Sequence, residues 1–316
     1  MIEKLDTSLE PSHVPVLMHE AVDSLTIDAG GCYVDATYGR GGHSGYLLNR
    51  LTEAGQLLAL DRDPAAIADA KVRFATDARF SIMRANFANL KEVLQAHGWS
   101  GRVDGLLMDL GVSSPQLDVA ERGFGFSRDG ELDMRMDPDS GVSAAQWLST
   151  VSESELVQVL KTYGEERYAR RIGAAIVSAR AENPISRTLQ LAEIVKAAHP
   201  RWERHHHPAT RSFQAIRIQI NRELDAVSEA LLAAASALRV GGRLAVITFH
   251  SLEDRLVKRA LRQPVPDPGI PRHLPQPVQE NHPWRVIGKP VKANEQELAI
   301  NPRSRSAVLR VAERVL

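Results

Sequence analysis

The chain has 316 residues, of which 43% are hydrophobic and 25% charged, and its formal net charge is zero. This composition is typical of a globular protein with one large domain or two ordinary ones, and no apolar run approaches the roughly eighteen residues that a membrane span needs. The N-terminus is polar and lacks a signal-peptide core, and a single cysteine, Cys32, excludes an internal disulfide. These features predict a cytoplasmic protein.

Strands and helices alternate along the first third of the chain. The predicted strands are 32–36, 57–61, 80–83 and 103–110, and the predicted helices are 14–27, 44–51, 64–75 and 89–97. Because such alternation places helices on the faces of a parallel sheet, it predicts an α/β protein with a Rossmann-like core.

The alternation stops after residue 110, and a largely helical stretch follows. Residues 111–141 are polar and rich in glycine, which predicts a loop. Helical periodicity then appears at 144–148, 153–162, 165–180 and 189–198. We interpret residues 141–210 as an all-helical insertion into a discontinuous core that consists of 1–140 and 211–316.

The remainder of the chain predicts a return to the sheet. A long helix is expected over 211–238, ending at a Gly-Gly pair, and an apolar strand over 243–249. Residues 263–290 contain eight prolines, which predict a long surface loop, and residues 291–311 predict a terminal hairpin.

The segment from Val34 to His43, Val-Asp-Ala-Thr-Tyr-Gly-Arg-Gly-Gly-His, is the most informative motif. It begins as a strand and runs into a glycine turn, where the backbone can approach a ligand that a Cβ atom would exclude. Asp61 ends the next apolar run, a position from which a carboxylate accepts hydrogen bonds from ribose hydroxyls. Together these features predict a nucleoside-binding site.

Two cofactors compete for this turn. A dinucleotide such as NAD requires G-x-G-x-x-G and places its pyrophosphate at a helix N-terminus. Here the spacing is G-x-G-G, and Asp35 precedes it. A carboxylate at that place repels a pyrophosphate but suits an ammonium group, so the motif favours S-adenosylmethionine (SAM).

Three further residues follow predicted strand ends, where ligands of such sheets bind. Phe87 follows the third strand and could stack on adenine, whereas Asp109 ends the fourth and could hold an exocyclic amine. His250 follows the fifth strand and is a candidate proton acceptor, with closure of the strand as its alternative role.

Charge is segregated along the chain although its sum is zero. From His199 to Arg222 there are five arginines and one acid, and from Arg285 to Leu316 seven Lys or Arg and three acids. Conversely, Asp118 to Asp139 holds seven acids and three arginines. This pattern favours a face that attracts phosphates, although ordinary solvated helices and loops would also explain it.

In its motifs the sequence resembles the bacterial 16S ribosomal RNA cytosine-N4 methyltransferase family, historically called MraW. The matching segments occur in order along nearly the whole chain. They are His13–Val16, Asp35–Ser44, Leu60–Pro64, Asp109–Leu117, Glu121–Phe124, Leu132–Asp137, Tyr163–Arg167, Thr210–Ala215, Phe249–Asp254 and Asn301–Ser306.

The resemblance implies a Rossmann-like class I SAM-dependent methyltransferase core with an inserted helical domain, and the arginine-rich stretch predicts that this insertion recognises RNA. It implies SAM as the cofactor, 16S rRNA of the small ribosomal subunit as the partner, and N4 of a decoding-centre cytidine, expected to be cytidine 1402, as the methylated atom. The SAM contacts carried over by position are Gly41, Gly42, His43, Asp61, Phe87, Asp109 and Gln116.

The single cysteine and the residues after the fourth strand indicate which cytosine atom could be methylated. Methylation of cytosine at C5 needs a covalent nucleophile, usually a thiolate, but Cys32 is predicted at the start of the first strand, away from the ligand end. Methylation of the exocyclic amine needs only an acceptor for the amine and a route for its proton. Ser113 and Ser114 occupy the place of the tetrapeptide that many amino-methyltransferases use, and they join His250 as catalytic candidates.

Other candidate sites concern the RNA and metals. Arg211, Arg303 and Arg305 are the expected substrate contacts. His205 to His207 are adjacent and lack metal-ligand spacing, so no metal is predicted. Two rival functions remain open: methylation of another nucleic acid or a small molecule, and a ribosome-assembly factor without enzymatic activity.

Overall fold

The computed structural model describes residues 15–201, 207–262 and 282–316. The chain divides into two compact units. The sheet unit comprises Met1–Asp61, Ala65–Leu110 and Val227–Leu316, and the helical unit comprises Arg62–Pro64 and Gly111–Ala226. The expectations for His205, His206 and most of the proline-rich segment lie outside the described residues.

A seven-stranded sheet forms the centre of the sheet unit. Its strands are β1 (Cys32–Asp35), β2 (Gln56–Asp61), β3 (Phe80–Arg84), β4 (Val103–Asp109), β5 (Leu238–Thr248), β6 (Trp284–Val291) and β7 (Val308–Arg314). The order is β3-β2-β1-β4-β5-β7-β6. The first five strands are parallel, and β7 runs antiparallel to both β5 and β6. The sheet reverses its order beside β1 and β4, which is where parallel α/β sheets bind ligands.

The α-helices, in chain order, have the following bounds. They are α1 (Met18–Asp23), α2 (Gly42–Leu48), α3 (Pro64–Arg73), α4 (Leu90–Ala96), α5 (Ser114–Asp118), α6 (Ala144–Thr150), α7 (Glu153–Gly164), α8 (Ala169–Glu182), α9 (Thr188–Ala198), α10 (Thr210–Asn221), α11 (Glu223–Ala237), α12 (Ser251–Leu261) and α13 (Glu295–Ile300). Among the described residues, no helix is long and apolar enough to cross a membrane.

Both faces of the sheet are covered. Along β2, Leu58 and Leu60 pack with α4, α12 and the part of α11 from Val227 onward. Leu57, which points to the other face, packs with α1 and α2. Side chains alternate between the faces of a strand, so the nearly continuous apolar run of β2 serves two cores at once. The predicted α/β class with a Rossmann-like core is confirmed.

The helical unit has a core of its own. Helices α6 to α10 contribute its apolar residues, and α10 packs closely on α7. Leu132 and Met134, from the polar stretch predicted as a loop, are completely buried in this core. The compact unit therefore extends beyond 141–210 at both ends, because the preceding loop and the following helix bury their apolar residues within it.

The stretch 111–141 is less irregular than predicted. It contains α5 and a 3₁₀ turn at Ala120–Arg122. Proline at the second position of α5 fits a helix start because the first-turn amides have no intrahelical acceptor.

The long helix expected over 211–238 was wrong, since α10 and α11 are separate. Arg222, between them, has a left-handed φ of 49°. The Asn221 side chain accepts a hydrogen bond from the Met136 amide at 2.8 Å and donates to the Met134 carbonyl at 2.7 Å. These tertiary bonds fix the end of α10. The Gly-Gly pair expected to end the helix lies inside β5.

The C-terminal expectations also need correction. The strand β6 occupies 284–291, part of the segment predicted as a loop, and pairs with β7. The predicted terminal hairpin is interrupted by α13 and a 3₁₀ helix at Pro302–Ser306. The helix α12, which was not predicted, follows β5 directly.

Candidate active site

Three acids lie at the carboxyl ends of neighbouring strands in the sheet unit. Asp35 ends β1, Asp61 ends β2 and Asp109 ends β4. The strands pair in parallel register, so their ends fall at the same edge of the sheet. This edge contains the glycine turn that links β1 to α2.

The acid Asp61 is bonded to that turn. Its Oδ2 accepts a hydrogen bond from the Gly39 amide at 2.8 Å. Gly39 has a left-handed φ of 56°, and a Cβ placed there would meet only the Thr37 carbonyl oxygen, at 3.9 Å. The turn is therefore open at Gly39. A carboxylate can accept several hydrogen bonds, so the bond from Gly39 is compatible with the ribose-binding role predicted for Asp61.

Gly41 and Gly42 are required for a different reason. A Cβ on Gly41 would lie 2.5 Å from the Tyr38 hydroxyl oxygen, and one on Gly42 would lie 2.0 Å from the Pro15 ring. Neither distance is sterically allowed. Internal packing alone thus accounts for these two glycines, whether or not their backbone contacts a ligand.

Asp35 organises the turn. Its Oδ1 accepts from the Thr37 amide at 3.1 Å and its Oδ2 from the Ser44 hydroxyl at 2.7 Å. Burial raises the pKa of this carboxyl, and these hydrogen bonds oppose that shift. Asp35, which was predicted to suit an ammonium group, therefore already accepts two hydrogen bonds from the protein.

His43 is buried and neutral. Its Nε2 lies 3.1 Å from the Val16 carbonyl oxygen, an acceptor that requires the proton on Nε2. Burial lowers the pKa of His43 to about 4. The unprotonated Nδ1 then faces Asp109, whose Oδ2 is 3.8 Å away.

Asp109 is the least satisfied acid of the site. Its Oδ1 is buried and has no hydrogen-bond partner within the described part of the chain. Its backbone amide donates to the Thr37 hydroxyl at 2.6 Å, which fixes the end of β4. Burial raises the pKa of Asp109 well above its ordinary value, and the nearby charges of Asp35 and Glu253 add to this effect. A buried acceptor without a donor is expected where a ligand supplies one.

Phe87 begins a short 3₁₀ helix directly after β3. The Asn86 side chain caps this helix by accepting from the Ala88 amide at 3.1 Å. Phe87 is half-buried against the core that contains Leu58 and Leu60. Phe87 thus packs on this core and remains partly exposed, as an aromatic platform for a ligand requires.

Gln116 is nearly buried in the helical unit, and both ends of its amide are bonded. Its Oε1 accepts from the Ser113 amide at 3.0 Å and its Nε2 donates to Asp63 at 2.9 Å. Arg122 also binds Asp63, at 2.7 Å. Ser113 is the N-cap of α5 and Ser114 its first residue, and both are half-buried.

His250 is the N-cap of α12. Its Nδ1 accepts from the Glu253 amide at 3.4 Å, while Glu253 accepts from the Phe249 amide at 2.9 Å. The His250 Nε2 lies 3.1 Å from Glu253 but without hydrogen-bond geometry. The structure thus gives this histidine a capping role, and a proton-acceptor role remains a prediction.

The three arginines expected to contact substrate are exposed. Arg211 lies in the first turn of α10, in the helical unit. Arg303 and Arg305 lie in the 3₁₀ helix between α13 and β7, in the sheet unit. Their positions are compatible with binding to a polyanion.

Sequence reasoning missed three residues that hold candidate site residues in place, each within its own unit. Thr37 connects Asp35 to Asp109, and the Asp63–Arg122 pair anchors Gln116. The sequence could have indicated these residues, because Thr37, Asp63 and Arg122 all lie within the motifs that carry the family resemblance. Pair partners distant in sequence could not be assigned without the fold.

The strand order with an antiparallel β7, and the acids at the ends of β1, β2 and β4, define a class I SAM-dependent methyltransferase fold. Comparison with known proteins places the chain more narrowly. The pattern of the MraW methylase family matches residues 10–315, so the chain belongs to this family.

Similar proteins match this chain over nearly its whole length and over nearly their own. Ribosomal RNA small subunit methyltransferase H of Thioalkalivibrio sulfidiphilus is 55% identical over 96% of this chain and 98% of its own. The enzyme of the same name from Nitrosococcus oceani is 53% identical over 98% and 99%. Among solved structures, an rRNA methylase from Streptococcus thermophilus has a TM-score of 0.43, at 12% identity over 96% of this chain and 99% of its own.

The cofactor of this family is SAM, so the predicted methyl donor is confirmed. The described residues fit such a ligand. Asp109 presents a buried acceptor without a donor, Gly39 leaves open space beside Asp61, and Phe87 presents a partly exposed ring.

Proposed function

We propose that this protein transfers a methyl group from SAM to the exocyclic N4 amine of a cytidine in 16S rRNA, expected to be cytidine 1402, in the cytoplasm. Family membership over residues 10–315 carries the proposal. The relatives named ribosomal RNA small subunit methyltransferase H support the RNA substrate.

The cofactor would be held by the strand-end residues. Asp61 is assigned to the ribose hydroxyls, Phe87 to the adenine ring and Asp109 to an N–H group. The assignment of Asp109 rests on its unpartnered Oδ1, for which a ligand donor would remove the cost of burying an unsatisfied acceptor. Bound SAM supplies an electrophilic methyl group on a sulfonium.

The place of Cys32 supports amine chemistry. Cys32 begins β1, and its amide donates to Asp104 at 2.7 Å. Burial and the Asp104 charge raise the pKa of its thiol, which disfavours the thiolate that C5 methylation needs. The ligand-binding edge is at the other end of β1.

Methylation of an amine needs an acceptor for its hydrogen and a route for one proton. Ser113, Ser114 and the neighbouring carbonyls are the proposed acceptors, and His250 the proposed proton acceptor. Because Nδ1 accepts the cap hydrogen bond, the neutral His250 ring carries its proton on Nε2, so His250 would take up the amine proton on Nδ1 in place of the cap bond.

The helical unit is proposed to bind RNA. Arg201 and Arg211 are exposed in this unit and belong to the arginine-rich stretch that ends at Arg222. Extracting a cytosine from its stack costs a few kcal/mol, which contacts to phosphates can offset.

Methyl transfer from labelled SAM to small subunits that lack this modification tests the proposal. Nucleoside digestion should recover the label as N4-methylcytidine. The variant Glu182→Gln, which changes an exposed acid in the helical unit, should act like the wild type. Label in 5-methylcytidine, or no transfer by folded protein, would overturn the proposal.

A further inference from the structure

The helical unit contains a cavity that shares only Arg211 with the candidate site residues described above. Its volume is about 230 Å³, and it is lined by Glu166, His199, His207, Pro208, Thr210, Arg211 and Gln214. Pockets for drug-sized ligands measure roughly 300–1,000 Å³, so this one suits a single planar ring system.

Glu166 is the distinctive residue of this cavity. It is only 3% exposed. Its Oε1 accepts from the Tyr168 amide at 2.9 Å, but Oε2 is buried and lacks a hydrogen-bond partner among the described residues. A buried carboxylate with an unused oxygen is costly unless a donor arrives, because its desolvation is not compensated.

The groups around Glu166 are aromatic or able to donate hydrogen bonds. His199 Nε2 lies 3.7 Å from Glu166 Oε1, and the buried His199 Nδ1 has no partner in the described chain. The His207 ring lines the cavity and packs against Phe126, with 4.7 Å between ring centroids. Arg211 adds a positive charge to the lining.

These features together favour a nucleobase as the ligand of the cavity. Unpaired RNA bases are recognised by stacking on aromatic rings and by hydrogen bonds to their Watson–Crick edge. A carboxylate can accept two parallel hydrogen bonds, and guanine alone among the standard bases has two adjacent donors, N1–H and N2–H, on that edge. Its O6 and N7 acceptors suit a cation such as Arg211.

We propose that this cavity is a subsite for an unstacked guanine of the RNA substrate, with the Glu166 carboxylate accepting N1–H and N2–H. The proposal rests on RNA being the substrate. It adds a base-specific contact in the helical unit to the phosphate contacts of the arginines.

Binding of mononucleotides to the full-length protein tests the subsite without methyl transfer. GMP and IMP form a matched pair, because IMP keeps N1–H and O6 but lacks the exocyclic amine. Calorimetry should show GMP binding about tenfold more tightly than IMP, as expected for one hydrogen bond to a charged group, and CMP and UMP binding more weakly still. Equal affinities, or a preference for CMP, would overturn the assignment to guanine.

The variant Glu166→Gln tests the carboxylate. Its amide oxygen can still accept from Tyr168, but its NH₂ opposes the guanine donors. GMP affinity should fall about tenfold, whereas the Glu182→Gln control keeps it. Equal melting temperatures would show that both variants fold. Unchanged GMP affinity in folded Glu166→Gln would exclude Glu166 from the subsite.

Methyl transfer separates the subsite from the proposed function. In Glu166→Gln, the KM for the RNA substrate should rise about fivefold, while SAM affinity and kcat stay close to wild type. A wild type that binds GMP selectively but does not methylate RNA would refute the function and leave the subsite. Methylation with an unchanged KM in Glu166→Gln would refute the subsite and leave the function.

Discussion

Both units contain a carboxylate with a buried oxygen, and the surroundings of the two carboxylates differ. In the helical unit, Asp63 is matched by the Arg122 guanidinium and the Gln116 amide. In the sheet unit, Asp109 lies near the negative charges of Asp35 and Glu253, and its Oδ1 has no partner among the described residues. Asp63 is thus bonded within the protein, whereas one oxygen of Asp109 has no donor in the described part of the chain.

This difference supports the proposal that Asp109 binds a ligand, whereas Asp63 holds the protein together. A satisfied buried acid holds chain segments together, and Asp63 thereby connects Arg62–Pro64 to the loop that follows Gly111. An unsatisfied buried carboxylate oxygen destabilises the free protein, and a ligand that donates a hydrogen bond to it removes this cost. Such oxygens are expected at functional sites. Glu166, although in the helical unit, resembles Asp109 in this respect.

The largest effect is expected from breaking the satisfied pair. Arg122→Met removes the guanidinium that bonds to the buried Asp63, which should lower the free energy of unfolding by about 3–5 kcal/mol. Denaturant titration measures this change. The control Arg128→Met removes an exposed arginine and should cost less than about 0.5 kcal/mol. Equal costs for the two variants would show that the pair has no structural role.

Removal of Asp61 should weaken the cofactor site. Asp61→Ala loses its hydrogen bonds to the ligand, each worth about 1.5–3 kcal/mol, so SAM affinity should fall about tenfold or more. Isothermal calorimetry gives the affinity, and Glu53→Ala, an exposed acid of the same unit, is the control. SAM affinity equal to wild type would remove Asp61 from the site.

Asp109→Asn should change stability and binding in opposite directions. The pKa of Asp109 is raised in the folded protein. The stability of the free protein should therefore fall as pH rises from the ordinary pKa of a carboxyl to this raised pKa. The variant should therefore melt at a higher temperature than wild type at neutral pH, yet bind SAM about tenfold more weakly.

The same substitution has a pH signature. A ligand donor favours the ionised carboxyl, so wild-type SAM affinity should increase as pH rises through the pKa of Asp109, and the variant should lack this increase. A lower melting temperature in Asp109→Asn would place Asp109 with the structural acids.

The arginines of the helical unit should affect RNA binding more weakly and in a salt-dependent way. Replacing Arg201 and Arg211 with glutamine should lower the slope of log affinity against log salt by about 0.7 for each lost phosphate contact. SAM affinity should not change. Arg303→Gln with Arg305→Gln is the matched comparison, and a reduced slope only in that pair would locate the RNA on the C-terminal segment.

The smallest effect is expected at Cys32. Cys32→Ala should retain full methyl transfer, because amine methylation needs no thiolate, and should cost less than about 1 kcal/mol of stability. Activity and thermal unfolding are the measurements. A folded but inactive variant, with a thiol-linked RNA adduct in wild type, would refute N4 chemistry.

The sequence predicted those parts of the fold that depend on local pattern. The apolar runs at 57–61 and 103–110 became β2 and β4 because buried parallel strands are apolar throughout. The separation of α10 and α11 was not predictable, because it depends on bonds from Asn221 to Met134 and Met136. Neither Gly nor Pro marks that break.

The candidate site shows the same division between features that depend on local sequence and features that depend on tertiary contacts. The proximity of Asp61 to the glycine turn was predictable because their spacing reflects one strand–turn–helix unit, and the structure joins Asp61 to Gly39. The Asp63–Arg122 pair and the environment of Glu166 depend on residues far apart in sequence. Burial and unpaired atoms cannot be read from a motif, so these residues emerged only from the structure.

Nucleoside analysis of 16S rRNA from cells that lack this protein tests the central claim most directly. We expect that one N4-methylated cytidine in the small-subunit RNA disappears, and that the wild-type protein but not Asp61→Ala restores it. Persistence of that N4-methylated cytidine in the absence of the protein, or loss of a 5-methylcytidine instead, would contradict the account.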